Sequence, residues 1–249
     1  MQLILIILIA FFVAVLFSML GLGGAIIYTP LFFWLGIPLL SAIPMALLLN
    51  TITTASASVT YLKLQLVDKR VALPIIFSSI IGALAGSYLA HRIDTKLIIL
   101  LLSAVLFIAG MRMLFFSGIC FSTGMNEKKK MLIGACAAFL IGIISALVGI
   151  GGGTFIVPLL LVLGFETKNA AATSAFIITF MSFSGFLGYM SFGTGIPDLK
   201  VLLYAGTAAF AGAQVGSRVI FGRTSSMMIN RMFAIVLLFV VARLLYGLM

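Results

Sequence analysis

A glycine cluster followed by a proline interrupts an apolar stretch of this chain twice. Residues 21–31 read GLGGAIIYTPL and residues 149–159 read GIGGGTFIVPL, 128 positions apart and without an internal gap. The apolar stretch around the first copy runs from residue 2 to residue 36. As one straight helix it would be about 50 Å long, against a bilayer hydrocarbon core of roughly 30 Å. The stretch from 131 to 164 poses the same problem. Each must bend, re-enter or split into two half-helices. Irregular backbone at membrane depth survives only where protein or a water-filled cavity covers it. Matching breaks in two halves of a chain point to a transporter-type binding site.

Composition fixes the class. Of 249 residues, 63% are hydrophobic and only 8% are charged, against roughly 25% charged in soluble domains. The mean hydropathy is +1.35. This is an integral, polytopic membrane protein with no polar stretch long enough for a soluble domain. The opening run has no basic n-region, and the glycine element directly after it is matched in the second half. The N-terminus is therefore expected to belong to the mature fold.

Fifteen Lys and Arg against five Asp and Glu give a net charge of +10. Positive-inside topology and anionic membrane lipids account for it, and so would an anionic substrate. Most of the charges fall at span ends, which favours the first account. Nucleic acid is excluded as a partner, because no soluble basic surface exists. Cys120, Cys136 and one histidine form no metal-ligand spacing, so no metal or other cofactor is expected.

Charged and turn residues divide the chain into about eight apolar transmembrane segments, which predicts an all-α fold. They lie near 2–20 with a break and continuation to 36, then 41–62, 71–90 and 96–116. In the second half they lie near 131–148 with a break and continuation to 164, then 168–192, 199–221 and 226–247. The internal match extends beyond the glycines. Tyr61 pairs with Tyr189 at the same offset. After a two-residue insertion, Asp68 and Arg70 pair with Asp198 and Lys200, and Gly82, Gly86 and Ser87 pair with Gly212, Gly216 and Ser217. After one further inserted residue, Arg112 pairs with Arg243. Ordered matches of this number establish a duplication. The expected organisation is a first repeat half at 1–116, a basic connecting loop at 117–130, and a second half at 131–249. If each half spans four times, the repeats share an orientation; if each break adds or removes a crossing, they are inverted. Straight counting of spans puts nine basic residues on the side of the connecting loop and six opposite, which leans toward a cytoplasmic loop in the cytoplasmic membrane.

Candidate site residues follow from the breaks. Gly21, Gly23 and Gly24, with Gly149, Gly151, Gly152 and Gly153, can expose backbone N–H groups at the start of a following half-helix. Such N-termini carry partial positive charge and bind anions. Pro30 and Pro158 would kink the continuing helices. Close packing around small residues is the alternative reading. The second span of each half is rich in hydroxyls. Asn50, Thr54 and Ser58 can share one face, as can Ser174 and Ser182, with Thr173 beside them. Neutral donors of this kind suit an oxyanion that must be bound and released, although they also serve interhelical hydrogen bonds. Gln214 and Arg218 lie one turn apart in the seventh span. Arg218 can act in the membrane or snorkel to the interface. All five acids fall at span ends or in loops. Proton and cation carriers usually bury carboxylates, so an anion is the expected ligand. No catalytic constellation is visible, and an enzyme is not expected.

The GxGG(G)x₅P element in both halves, the AAATS run containing Thr173 and Ser174, the stretch from Tyr61 to Asp68 and Arg70, and the GAxxGS pattern at 82–87 and 212–217 together resemble the sulfite exporter TauE/SafE family. The resemblance covers almost the whole chain. It implies a multi-pass permease of two related halves that exports sulfite or an organosulfonate. By position it points to both glycine–proline elements and to Thr173 and Ser174. The chain departs from the family pattern where Ala25 replaces a third glycine and where Ala172 replaces the glycine of a Gly-Thr-Ser run. The halves are thus expected to contribute unequally, with the second weighted more. The expected mechanism is alternating access around a site near mid-bilayer. The alternatives are an uptake permease for an organosulfur acid and a non-transporting scaffold subunit. The oligomeric state stays open.

Overall fold

The computed structural model describes residues 2–115, 127–192 and 199–219, together with 238, 240–242 and 244. The expected last span, at 226–247, lies mostly outside these residues, as do Cys120, Asp198 and Arg243. The described chain is an all-α, polytopic membrane fold. Its order is α1 (Gln2–Leu20), α2 (Ala25–Trp34), α3 (Leu39–Lys63), α4 (Lys69–Ala90), α5 (Thr95–Phe115), α6 (Glu127–Val148), α7 (Gly153–Val162), α8 (Thr167–Ser191) and α9 (Leu199–Val219). Among the described residues, α3, α4, α8 and the Lys130–Val148 portion of α6 are long and apolar enough to cross a membrane. Shorter apolar helices make up α2, α7 and much of α1 and α5.

Both over-long stretches split at their glycines. α1 stops at Leu20 and α2 starts at Ala25; α6 stops at Val148 and α7 starts at Gly153. Backbone φ is positive at Gly21 and Gly23 in the first break and at Gly149, Gly151 and Gly152 in the second. A β-carbon opposes that conformation, which is why the break is spelled in glycine. Pro30 and Pro158 sit inside α2 and α7.

Helix directions follow from paired contacts. The Tyr61 hydroxyl at the end of α3 donates to the Ser18 carbonyl at the end of α1, so those helices run parallel. Asn50, near the middle of α3, bonds the first residues of α2, and a short turn joins the end of α2 to the start of α3. The hairpin α1–α2 is therefore re-entrant: α2 returns toward the end from which α1 came. α3 and α8 run antiparallel, since Asn50 bonds Ser182 and Thr54 accepts from Thr179. Because α3 and α8 are the second spans of their halves, the two halves are inverted. The Tyr189 hydroxyl donates to the Ala146 carbonyl, which is the Tyr61–Ser18 contact repeated 128 residues on.

Inversion redistributes the charges. Among the described positions, the end of the bundle that holds the α3–α4 turn carries Lys63, Lys69, Arg70, Arg112, Lys128, Lys129, Lys130, Lys168 and Arg218. The opposite end carries Arg92, Lys96 and Lys200. Over these twelve positions straight counting gives eight against four; re-entry moves Lys168 and Arg218 to the side of the connecting loop and Lys200 away from it, which makes nine against three.

The halves are also interlocked. The third spanning segment of each half packs on the broken helix of the other. A β-carbon at Gly82 or Gly86 on α4 would run into the Phe139 or Ile143 carbonyl of α6. One at Gly212 or Gly216 on α9 would run into the Phe11 or Val15 carbonyl of α1. These are equivalent pairs. Small residues at four-residue spacing let the helix backbones touch where no hydrophobic force drives association. One buried apolar cluster is accordingly built on α4, α6, α7 and α8, and a larger one centres on α1, α2, α3, α5 and α9. Gly86→Val and Gly216→Val should each destabilise the fold by roughly 2 kcal/mol through overpacking, lowering the thermal unfolding midpoint in detergent. Gly206→Ala is the control: its new methyl would meet only the flexible tip of Ile52, at 3.0 Å, and the midpoint should hardly move.

Candidate functional site

The N-termini of α2 and α7 both start near mid-depth and run outward in opposite directions, α2 toward the start of α3 and α7 toward the start of α8. Their positive dipole ends are therefore aimed at the centre of the bundle. A helix start leaves its first N–H groups without an intrahelical acceptor. In lipid such groups must find protein or enclosed water.

In the first half the chain supplies the acceptor itself. Asn50 Oδ1 accepts from the Gly24 N–H at 2.6 Å and the Ala25 N–H at 3.0 Å. Its Nδ2 donates to Ser182 Oγ at 2.8 Å, and Ser182 Oγ donates to the Gly151 carbonyl at 3.4 Å. One fully buried side chain thus caps α2 and ties it to the opposite break. Hydroxyls hold the two tips in a reciprocal way. Thr29 of α2 donates to the Gly149 carbonyl, and Ser174 of α8 donates to the Gly21 carbonyl at 2.8 Å. The tips touch without side chains between them: a β-carbon at Gly153 would strike the Leu22 carbonyl, and one at Gly21 the Ala171 carbonyl.

The second half differs. No side chain caps α7. Phe155 and Ile156 donate to the Gly152 carbonyl, and no bond to another described residue is made by the Gly153 or Thr154 N–H. Ser145 Oγ and Thr154 Oγ1 are buried with no hydrogen-bond partner. Ser145 is 0% exposed and Thr154 8%. The Ser145 hydroxyl lies 3.0 Å from where a β-carbon of Gly152 would be, beside the terminal methyl of Met181.

The breaks thus bring together Gly21, Gly23, Gly24, Gly149, Gly151, Gly152, Gly153, Asn50, Ser174 and Ser182. Thr54 is one turn away, donating to the Asn50 carbonyl and accepting from Thr179 at 3.0 Å. Thr173 is directed elsewhere, accepting from the Asp68 N–H in the α3–α4 turn. Gln214 and Arg218 stand apart. Gln214 donates to the carbonyl and hydroxyl of Ser56, about 9 Å further along α3 than Asn50. Arg218 is exposed and donates to Gln214 at 3.4 Å. Both line an open groove of about 660 Å³ with Lys63 and Phe210 between α3 and α9. Sequence reasoning missed Thr29, Ser145 and Thr154. Comparing the copies position by position would have flagged two of them: Phe17 and Ile26 in the first half are Ser145 and Thr154 in the second.

Asn50→Ala should cost about 2–4 kcal/mol, because it strands two buried N–H donors and unties Ser182. Asn50→Asp keeps an oxygen at the α2 N-terminus and should recover most of that loss. Unfolding midpoints of both variants in the same detergent check the pair.

Similarity to known proteins fits this architecture. The family model described as Sulfite exporter TauE/SafE matches residues 6–244. The probable membrane transporter protein YunE of Bacillus subtilis is 26% identical over 204 residues, 71% of this chain and 74% of its own. A probable membrane transporter protein of Methanocaldococcus jannaschii is 25% identical over 197 residues, 76% of this chain and 73% of its own. Sulfite exporter TauE/SafE family protein 1 of Arabidopsis thaliana is 36% identical over 87 residues, 35% of this chain and 18% of its own. No solved structure gives a significant match. With a family match over nearly its whole length, the chain belongs to the sulfite exporter TauE/SafE family of membrane transporters.

Proposed function

We propose that this transporter carries a small sulfur oxyanion, sulfite or an organosulfonate, out of the cell across the cytoplasmic membrane by alternating access. The observation that carries the reading is the convergence of two half-helix N-termini on the middle of an inverted repeat. Helix starts at mid-membrane favour negative charge. The described acids support the same sign of ligand. Asp68 caps α4, Asp94 bonds the Lys96 N–H, Glu166 precedes α8, and Glu127 opens α6. None lies near the breaks to repel an anion.

The end with nine basic positions is assigned to the cytoplasm, which puts the connecting loop there. An inside-negative potential of 100 mV then contributes about 2.3 kcal/mol per charge toward expelling an anion. The moving bodies are not the sequence halves, because the glycine stripes lock α4 to α6 and α9 to α1. Motion is assigned to the seam between α3 and α8, where the polar bonds Asn50–Ser182 and Thr54–Thr179 lie beside the packing of Ala57 and Tyr61 on Ala172 and Ala175. The net cost of breaking those bonds is small only where water or the anion takes the place of the lost partner, because a stranded buried donor is costly.

Counterflow in proteoliposomes with labelled sulfite against sulfate, thiosulfate and a sulfonate tests the substrate. Accumulation of sulfite or the sulfonate is expected, and it should reverse with the sign of a clamped potential. No accumulation of any of the four anions would sink the reading. Asn50→Asp should remain folded yet lose most flux, because a fixed carboxylate would neutralise the site. Single-cysteine labelling in a cysteine-free background tests orientation: a cysteine at Lys168 should react from the cytoplasmic side and one at Arg92 from the outside.

A further inference from the structure

The duplication places equivalent residues around two helix starts, yet the chemistry at the two is opposite. At the α2 start, the acceptor is Asn50, and the flanking positions are Phe17 and Ile26, both buried. At the α7 start, the position equivalent to Asn50 is Ile178, which has no polar atom on its side chain, and the flanking positions are Ser145 and Thr154. Three exchanges between polar and apolar residues thus fall on one small region. The first half satisfies its helix start internally and flanks it with Phe17 and Ile26. The second leaves its helix start without a side-chain cap and flanks it with Ser145 and Thr154.

We infer that the anion is seated on the α7 N-terminus alone, held by the Gly153 and Thr154 N–H groups and by the Ser145 and Thr154 hydroxyls. The inference rests on the anion-transport reading and names the seat within it. Two buried hydroxyls without a partner are costly to leave so. A ligand rich in acceptors satisfies them together with the helix start. The four donors are all neutral, and no described carboxylate or carbonyl is paired with the two hydroxyls. The two N–H groups can only donate and the two hydroxyls can turn their protons toward a ligand, so an oxyanion meets four donors here. The match is to a compact –SO₃ head, which offers three oxygens on one face. In the first half, Asn50 Oδ1 occupies the corresponding place on α2 and excludes an anion there. One seat per molecule follows, despite the twofold architecture. Met181 lies with its methyl against Gly152 and Ser145. Its flexible thioether chain can swing aside to admit the ligand.

A seat built from unsatisfied groups has a signature that a structural role lacks. Ser145→Ala and Thr154→Val remove hydroxyls that bond nothing in the empty protein. Both variants should unfold at the same temperature as the parent or higher, while KM for labelled sulfite in proteoliposomes rises roughly tenfold or more, in line with the loss of a hydrogen bond to a charged group. The stabilisation of the parent by added sulfite in a detergent melt should shrink in both. Ile178→Asn supplies the second half with the cap of the first, and it should abolish sulfite stabilisation. Unchanged KM in the Ser145 and Thr154 variants, with the parent active, overturns the seat and leaves the transport reading standing. A lowered melting point in both of those variants makes the hydroxyls structural and also overturns the seat. A parent that neither moves nor is stabilised by sulfite, thiosulfate or a sulfonate removes the transport reading, and the seat falls with it.

Discussion

A backbone donor or acceptor at membrane depth must find a partner in protein or enclosed water, and the two glycine breaks are where this chain meets that demand with the least regular structure. Each break frees N–H and C=O groups near mid-depth. The fold answers by bringing the breaks together, so that each supplies partners to the other. Thr29 and Ser174 reach across to the Gly149 and Gly21 carbonyls, and Asn50 joins the α2 start to Ser182. Glycine lets the tips come into contact, since β-carbons at Gly21 or Gly153 would collide with the opposing backbone. The central contact is therefore the structural keystone, where the freed backbone of both breaks converges.

The surrounding helices serve that contact. Inverted re-entrant hairpins enter from opposite ends, so their dipoles add at the centre instead of cancelling. The third spanning segments then cross over, α4 onto α6 and α9 onto α1, through glycine stripes that repeat the same backbone contacts. The exchange makes two packed units that each contain pieces of both halves. Rigid-body motion along the α3–α8 seam would leave the α4–α6 and α9–α1 glycine contacts intact. A hinge at the connecting loop would break them.

Much of this was legible in the sequence. The membrane class, the helical content, the two breaks and the duplication all rest on composition, length and repeated spelling, which are local or additive properties. Gly23, Asn50, Gly151 and Ser182 were identified as candidates and do lie together. Gln214 was singled out for its rarity within a span, yet it bonds Ser56 away from the breaks. Polarity within an apolar helix marks a side chain that needs a partner; it does not say whether that partner is a ligand or a neighbouring helix. Thr173 is a second instance, spent on the Asp68 N–H.

The sequence by itself determined that two apolar stretches must break, and where, because no single helix of that length fits a bilayer and glycine alone tolerates the backbone of the break. It also held the exchange of Asn50, Phe17 and Ile26 for Ile178, Ser145 and Thr154. Only the tertiary structure decided that each break reverses the chain, that the halves are therefore inverted, and that α4 and α9 trade places. The physical reason is that a glycine turn permits either continuation or return. The choice is made by which distant backbone satisfies the freed groups, and that is a contact between residues more than a hundred positions apart.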